Sequence, residues 1–176
     1  KKAIRVDANK EMPEFGGKTA FAFNIASFGI DAFINNMTNK TKALFPGDFY
    51  KLWVNLGALF YETQYKIETM RVELFDEKGS LIKEFNEAFM LCVMGVSGNR
   101  TYGSGHNILP GNENFCLVKK IPLHVKIPNI NSFKDGTHVG KSFAYLSNVH
   151  KMTIFYEEPI LIQLDGEVAP LDKDFF

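Results

Sequence analysis

The sequence has 176 residues, of which 45% are hydrophobic and 23% charged, so it is long enough for one domain with its own hydrophobic core. Its 20 Lys and Arg residues balance 20 Asp and Glu residues, which gives a formal net charge of zero. This balance argues against a nucleic-acid-binding protein, whose affinity would depend on neutralising phosphates.

The N-terminal part of the chain predicts two strands. Residues 2–7 alternate weakly, and residues 19–26 place Phe21, Phe23 and Ile25 on one face of a strand that ends near Gly29. A glycine at that point indicates a backbone conformation or a close approach that a Cβ atom would prevent. Residues 32–42 are polar and favour either a short helix or a loop.

One amphipathic helix is predicted over residues 49–63, with Asp48 as its N-cap. Its apolar residues recur at helical spacing, which is typical of a helix that packs on a core. These residues are Phe49, Leu52, Trp53, Leu56, Leu59 and Phe60.

After residue 64 the period changes to two, which predicts strands. Residues 70–74 and 81–85 form a hairpin around residues 76–79, and the apolar stretch 88–96 is typical of a central strand buried on both faces. Further strands are predicted over residues 115–121, 123–127, 143–149, 151–156 and 159–164. The second of these is alternatively the continuation of the first, bent at Pro122. Residues 130–134 favour a short helix or a loop.

This order of elements, with many strands and no alternation of strand and helix, predicts a single mainly β domain over residues 1–176. We expect an antiparallel β-sandwich or a barrel-like domain, with the helix over about 49–63 packed on it. The two cysteines, Cys92 and Cys116, both lie in apolar runs. Buried thiols are the favoured interpretation, and a disulfide is the alternative.

The last predicted strand runs into Asp165-Gly166-Glu167. Two carboxylates on alternate residues of a turn can face the same cleft, where they could bind Mg²⁺, accept a proton or orient a hydroxyl. The alternative is an ordinary hairpin turn, since Asp-Gly is a common turn dipeptide.

A glycine-rich segment, residues 97–111, includes Gly103 and Gly105. It could bring the backbone close to another group, or it could be only a wide turn. It lacks the lysine and the strand–loop–helix context of a nucleotide-binding P-loop.

Taken in order, these motifs resemble the C-terminal domain of the diacylglycerol kinase and sphingoid-base kinase superfamily. The resemblance begins at residues 23–31, Phe-Asn-Ile-Ala-Ser-Phe-Gly-Ile-Asp, and continues through the Gly-rich segment ending at Pro110. It includes a Gly-x-His element at residues 136–138 and ends at the Asp-Gly-Glu of residues 165–167. It covers roughly residues 4–168.

The resemblance implies a function that this chain carries out only in part. Such kinases transfer a phosphoryl group from ATP to a lipid hydroxyl of the diacylglycerol, sphingoid-base or phosphatidylglycerol class. Their α/β N-terminal domain holds ATP on a Gly-Gly-Asp-Gly-Thr loop, which is absent here. We therefore expect the chain to be the lipid-binding, cleft-closing domain, inactive alone, with ATP and Mg²⁺ used by the full-length enzyme and neither bound tightly by this chain.

The resemblance also suggests roles for particular residues. Glu167 is the expected catalytic residue, lining the cleft near the phosphates or the metal, and Asp165 is expected to fix the turn. The interdomain cleft is expected to include Asn24, Gly29, Asp31, Gly103 and Gly105.

One segment departs from the family pattern. After the proline, family members typically carry Asp-Asp-Gly, and in some of them these acids hold a structural Mg²⁺. Here residues 111–117 read Gly-Asn-Glu-Asn-Phe-Cys-Leu, so Glu113 is the single acidic candidate for a metal ligand.

The expected partners are the lipid substrate, the N-terminal kinase domain of the same polypeptide and, transiently, the membrane surface, with no nucleic acid. The expected location is the cytoplasm. The competing interpretation is a non-catalytic β-sandwich binding module from a degenerate relative of these kinases.

Overall fold

In a computed structural model of the chain, the described residues are 2–41, 61–102 and 106–171. They form mostly antiparallel β-structure, which confirms the predicted fold class. The N-terminal half contains β1 (Ile4–Met12), a 3₁₀ turn (Pro13–Phe15), β2 (Gly17–Ala22), β3 (Ile25–Gly29), α1 (Ile30–Thr41), β4 (Thr69–Phe75) and β5 (Leu81–Gly95).

The C-terminal half continues with shorter elements. They are β6 (Arg100–Tyr102), β7 (His106–Leu109), β8 (Phe115–Lys119), α2 (Leu123–Asn129), α3 (Ser132–Asp135), β9 (Ala144–Ser147), β10 (Lys151–Phe155), β11 (Ile160–Leu164) and β12 (Glu167–Leu171).

The long strand β5 organises the main sheet. Its first half pairs with β4, and its second half pairs with β3 on one side and β8 on the other. The sheet continues from β4 to β10, from β8 to β9, and from β3 through β11 to β12, and each of these pairings is antiparallel. The predicted central strand over 88–96 is therefore confirmed, as the second half of β5.

Two apolar cores lie on the two faces of this sheet. The first includes Met70 and Val72 of β4, Phe28 of β3 and Phe115 of β8, and the β1–β2 hairpin adds Met12 and other apolar side chains. This arrangement is sandwich-like, since residues from both halves of the sheet meet in one core.

The second core lies under α1, where Ile30 and Phe33 pack with Leu91, Val93 and Leu161. For residues 32–42 the sequence allowed either a short helix or a loop, and these residues belong largely to α1. Its buried stripe, Ile30, Ala32 and Phe33, lies at its N-terminal end.

The predicted helix over 49–63, with its Asp48 cap, falls largely outside the described residues. Its last three predicted positions are described, and residues 61–64 are helical. Tyr61 packs edge-on against Phe33 of α1. Within the described parts of the chain, no helix is both long and apolar enough to cross a membrane.

The predicted strand over 19–26 is wrong in two respects. It is divided into β2 and β3, and Phe21 and Phe23 are exposed at 55% and 62% while Ala20 and Ala22 face the core. The division between the strands has a cause that is described below.

Residues 123–127 are not a strand but part of α2. The alternation of Leu123, Val125 and Ile127 suggested a strand, yet the amides of Val125 and Lys126 both donate to the Pro122 carbonyl at 2.9 Å. The helix buries Lys126, whose ammonium group binds the Glu62 carboxylate, and leaves Leu123 and Ile127 exposed. The helix thus leaves two of the three alternating apolar residues exposed and forms a part-buried ion pair between Lys126 and Glu62.

Both cysteines are free and buried, which confirms the thiol interpretation. Cys92 belongs to the first core and Cys116 to the second, on opposite faces of neighbouring strands, so their side chains point apart. Burial raises the pKa of both thiols, to about 12 for Cys116.

Gly29 should be irreplaceable at the junction of β3 and α1. Its φ is +85°, and a Cβ atom there would lie 2.4 Å from the carbonyl oxygen of Met90. We expect Gly29→Ala to lower the free energy of unfolding by about 3 kcal/mol, measured by urea denaturation.

Gly79 provides the matched control. Its φ is +79°, but no atom lies within 4 Å of the corresponding Cβ position. Gly79→Ala should therefore cost only about 1 kcal/mol, the conformational part of the effect. If both variants lost the same free energy of unfolding, the clash of a Cβ atom with the Met90 carbonyl would not contribute to the cost at Gly29.

Candidate functional site

The predicted turn at residues 165–167 joins two strands. Leu164 pairs with Glu167, so that Asp165 and Gly166 form a two-residue hairpin loop between β11 and β12. Their φ values of 51° and 98° are both positive, as a type I′ turn requires. The expectation that residues 159–164 form the last strand is therefore wrong, because β12 returns beside β11.

The Asp165 carboxylate binds the break between β2 and β3. It accepts hydrogen bonds from the backbone amides of Phe23 at 2.6 Å, Asn24 at 2.9 Å and Ile25 at 2.9 Å. The Asp165 amide in return donates to the Ile25 carbonyl at 3.0 Å. These amides, taken by a carboxylate, interrupt strand pairing at residues 23 and 24, which explains the division of the predicted strand.

A second group of polar contacts connects the turn with side chains of β11, β3 and α1. The Gly166 amide donates to Oε1 of Gln163 at 2.6 Å. Nε2 of Gln163 donates to the Ser27 hydroxyl at 3.1 Å and to the Asp31 carboxylate at 3.2 Å, and the Ser27 hydroxyl donates to the same Asp31 oxygen at 2.6 Å. This network connects the turn with β3 and the first turn of α1.

Glu167 presents its side chain to solvent at the start of β12. Among the described residues, no hydrogen bond or ion pair engages its carboxylate. Hydrogen bonds therefore hold Asp165 and Gly166 in place, whereas the Glu167 carboxylate is exposed.

Asn24 links this corner to the start of the Gly-rich segment. Its side-chain oxygen accepts a hydrogen bond from the guanidinium of Arg100, and Arg100 also donates to the Ser97 hydroxyl at 3.0 Å. Arg100 is the first residue of β6, the strand that directly precedes residues 103–105. The predicted cleft residues Gly103 and Gly105 themselves lie outside the described residues.

Glu113 lies in a different local setting. Its carboxylate approaches Gly111 so closely that a Cβ atom there would be 2.4 Å from Oε2. The neighbouring Asn114 is already committed, since its amide group donates to the Val149 carbonyl at 2.9 Å and accepts from the Val149 amide at 2.8 Å. The described residues contain no group of three or more His, Cys, Asp or Glu side chains that could hold a metal ion. Glu113 as a metal ligand stays a prediction.

Two histidines, His106 and His138, lie in or against β7. Burial lowers the pKa of His106, at the start of β7, with the charge of Asp31 opposing this shift and that of Lys134 adding to it. His138, of the Gly-x-His element, is fully buried, and its two ring nitrogens lie 3.1 Å and 3.0 Å from the carbonyl oxygens of Ser132 and Ile108. His138 thus joins α3 to β7 and does not reach the turn through any described contact.

Hydrogen bonds among the described residues therefore connect Asn24, Asp31 and Asp165 at the corner that carries Glu167. Gly29 lies at the other end of β3, against Met90, and Glu113 has separate contacts. Sequence reasoning missed Ser27, Gln163 and Arg100 at the corner. A signal for Gln163 existed, because it is the single polar residue in the strand Ile160–Leu164.

No protein-family model matches the sequence, and no curated protein matches it. Among solved structures, the chain is similar to two from Bacillus anthracis str. Sterne. One is a "Crystal structure of a putative diacylglycerol kinase", at 16% identity and a TM-score of 0.45. The other is "A putative diacylglycerol kinase", at 18% identity and a TM-score of 0.44. Each likeness covers 99% of this chain and 56% of the other, so this chain spans little more than half the length of either.

Removing the Asp165 carboxylate should destabilise the whole domain. We expect Asp165→Ala to lower the free energy of unfolding by about 3 kcal/mol, because three backbone amides lose a charged acceptor. Denaturation by urea measures this loss, and hydrogen exchange should show faster exchange at Phe23, Asn24 and Ile25.

Asp76 is a suitable control for Asp165. Its carboxylate also accepts from backbone amides, those of Lys78 and Ser80, but only within its own exposed hairpin. Asp76→Ala should cost about 1 kcal/mol. If Asp165→Ala were no more costly than Asp76→Ala, the long-range contact would not be important for stability.

The lowered pKa of His106 predicts a contribution to acid sensitivity. The folded state binds fewer protons at His106 than the unfolded state, so this group destabilises the fold as the pH falls below its ordinary value of 6.5. We expect His106→Gln to reduce the loss of stability between about pH 7.5 and pH 5. Urea midpoints at the two pH values measure it, with His150→Gln, an exposed position, as the control. An unchanged pH slope in His106→Gln would contradict the assignment.

Proposed function

We propose that this chain is the lipid-side domain of a two-domain lipid kinase, which transfers the γ-phosphoryl group of ATP to a lipid hydroxyl. The observation that carries this proposal is the corner at residues 165–167. Residues from both ends of the chain converge there, in the order of motifs that resembles the lipid kinase superfamily, and they leave one carboxylate available.

In the proposed reaction, Glu167 is the catalytic residue. Its carboxylate would accept a hydrogen bond from the lipid hydroxyl and take its proton while the hydroxyl oxygen forms a bond to the γ-phosphorus. The bond from that phosphorus to the bridging oxygen breaks, and ADP leaves. Phosphoryl transfer depends mainly on positioning and charge neutralisation, so a rigidly held carboxylate is well suited to the role.

The second domain of the same polypeptide would supply the ATP-binding loop. Mg²⁺ would neutralise the charge on the phosphates when bound. We expect the isolated chain to bind neither group tightly and to hydrolyse no ATP.

An apolar surface adjoins the corner and supports a lipid substrate. Phe21 and Phe23 are exposed, and the backbone amide of Phe23 donates a hydrogen bond to the Asp165 carboxylate. Exposed aromatic side chains beside a polar site suit a ligand with a polar head and acyl chains. We infer a cytoplasmic protein that touches the membrane surface transiently to reach a diacylglycerol, a sphingoid base or a phosphatidylglycerol.

The segment around Glu113 favours a second candidate, a non-catalytic β-sandwich binding module from a degenerate kinase. Residues 111–117 carry one acidic residue and lack the Asp-Asp-Gly of the kinases that the sequence resembles. Incubating the full-length protein with ATP and each of the three lipid classes distinguishes the candidates. Phosphorylated lipid supports the kinase, and no transfer to any of them supports the module.

Replacing Glu167 tests its role within the kinase. We expect Glu167→Gln in the full-length protein to reduce kcat by about 100-fold, because the amide cannot accept a proton. The unfolding free energy should stay within about 0.5 kcal/mol of the original, since no described residue forms a hydrogen bond or ion pair with this carboxylate.

Glu77→Gln, at the exposed tip of the β4–β5 hairpin, is the matched control and should leave kcat unchanged. Unchanged activity in Glu167→Gln would remove Glu167 from the reaction. The assay follows phosphate transfer to the lipid at saturating ATP.

A further inference from the structure

Gln163 is a buried amide side chain directly beneath the turn that carries Glu167. It is 3% exposed and lies in β11, between β3 and β12. Its three hydrogen bonds join the Gly166 amide to Ser27 and Asp31. A buried amide in an apolar strand is costly unless its polar atoms are paired, as they are here.

The partners of Gln163 fix which way its amide group faces. The Asp31 carboxylate only accepts hydrogen bonds when ionised, so the NH₂ end of Gln163 must face it. Oε1 is then directed at the Gly166 amide, which only donates. With the amide reversed, two donors would face each other at Gly166 and an oxygen would face the carboxylate. Asp31 therefore fixes the orientation of the Gln163 amide group, and that amide group holds the backbone of the hairpin loop at Gly166.

Helix α1 holds the same turn at a second point. Nδ2 of Asn39 donates to the Gly166 carbonyl at 3.1 Å. Both backbone groups of Gly166 are thus engaged, one through Gln163 and Asp31 and the other through Asn39. Since Asp31 lies in the first turn of α1 and Asn39 near its end, the turn is fixed relative to the helix as a whole.

We propose that Gln163 is a positioning residue, which together with Asp31 aligns the turn so that the Glu167 carboxylate is presented to the substrate. This inference rests on the proposed function, because Glu167 is the group that is positioned. Gln163 itself is buried below the turn and acts only through the backbone of Gly166.

Three variants test the inference. Gln163→Leu keeps the volume and removes both ends of the amide. Gln163→Glu keeps an acceptor for the Gly166 amide but places a second carboxylate against Asp31. The double variant Gln163→Glu, Asp31→Asn restores a donor opposite the new carboxylate, because the side-chain amide introduced in place of the Asp31 carboxylate can donate to it. Gln64→Leu, at an exposed glutamine, is the matched control.

The first measurement uses the 176-residue chain and requires no activity. Hydrogen exchange at the Gly166 amide should become about tenfold faster in Gln163→Leu and in Gln163→Glu, because its acceptor is lost or misplaced. The double variant should recover most of the protection, and Gln64→Leu should match the original chain. Exchange at Val72 in the core reports whether a variant remains folded.

The second measurement uses the full-length protein with ATP and its lipid. A carboxylate displaced by about 1 Å should reduce kcat by about 100-fold, with the KM for ATP within about twofold of the original. Recovery of kcat in the double variant would separate positioning from a general loss of stability. If Gln163→Leu does not fold, Gln163→Glu and the double variant still give both results.

Different outcomes overturn different statements. Unchanged exchange at Gly166 in both single variants would show that Gln163 does not hold the turn. Faster exchange with an unchanged kcat would show that the turn need not be held for the reaction. A full-length protein that phosphorylates no lipid would overturn the proposed function, while the exchange experiment would still decide whether Gln163 fixes the turn.

Discussion

The structure of this corner depends on one carboxylate that takes three consecutive backbone amides. Asp165 accepts from residues 23, 24 and 25, which are 140 or more positions away in the chain. Without that acceptor, the amides at the end of β2 and the start of β3 would need other partners. The same contact ends the β1–β2 hairpin, starts β3 in the main sheet and fixes the hairpin that carries Glu167.

The division of labour between the two carboxylates follows from this contact. Asp165 is occupied by the backbone and stabilises the fold, whereas Glu167 has no hydrogen bond or ion pair with the described residues and remains available. The Asp-Gly-Glu sequence thus places a carboxylate that stabilises the fold two residues before one that is exposed.

The sequence predicted the fold class well because most strands follow the alternation of buried and exposed residues, as in the hairpin of β4 and β5. It failed at two places. At Phe23 and Asn24 the amides bind a distant carboxylate, which interrupts the strand, and over residues 123–127 the alternating apolar residues lie in a helix, where Lys126 contacts Glu62. Contacts between distant residues leave no local pattern, so Ser27 and Arg100 could not be identified from the sequence. Gln163 was also missed, although it could have been identified as the single polar residue in an apolar strand.

The continuous strand β5 has a mechanical consequence. Its 15 residues belong to both halves of the sandwich, so one backbone transmits any shift of β4 and β10 to β3 and β8. Neither half has a complete set of neighbours without it, and a cut within β5 would leave both halves with exposed edges. The domain should therefore respond to force or to proteolysis in this strand as one cooperative unit, with no separable half that stays folded.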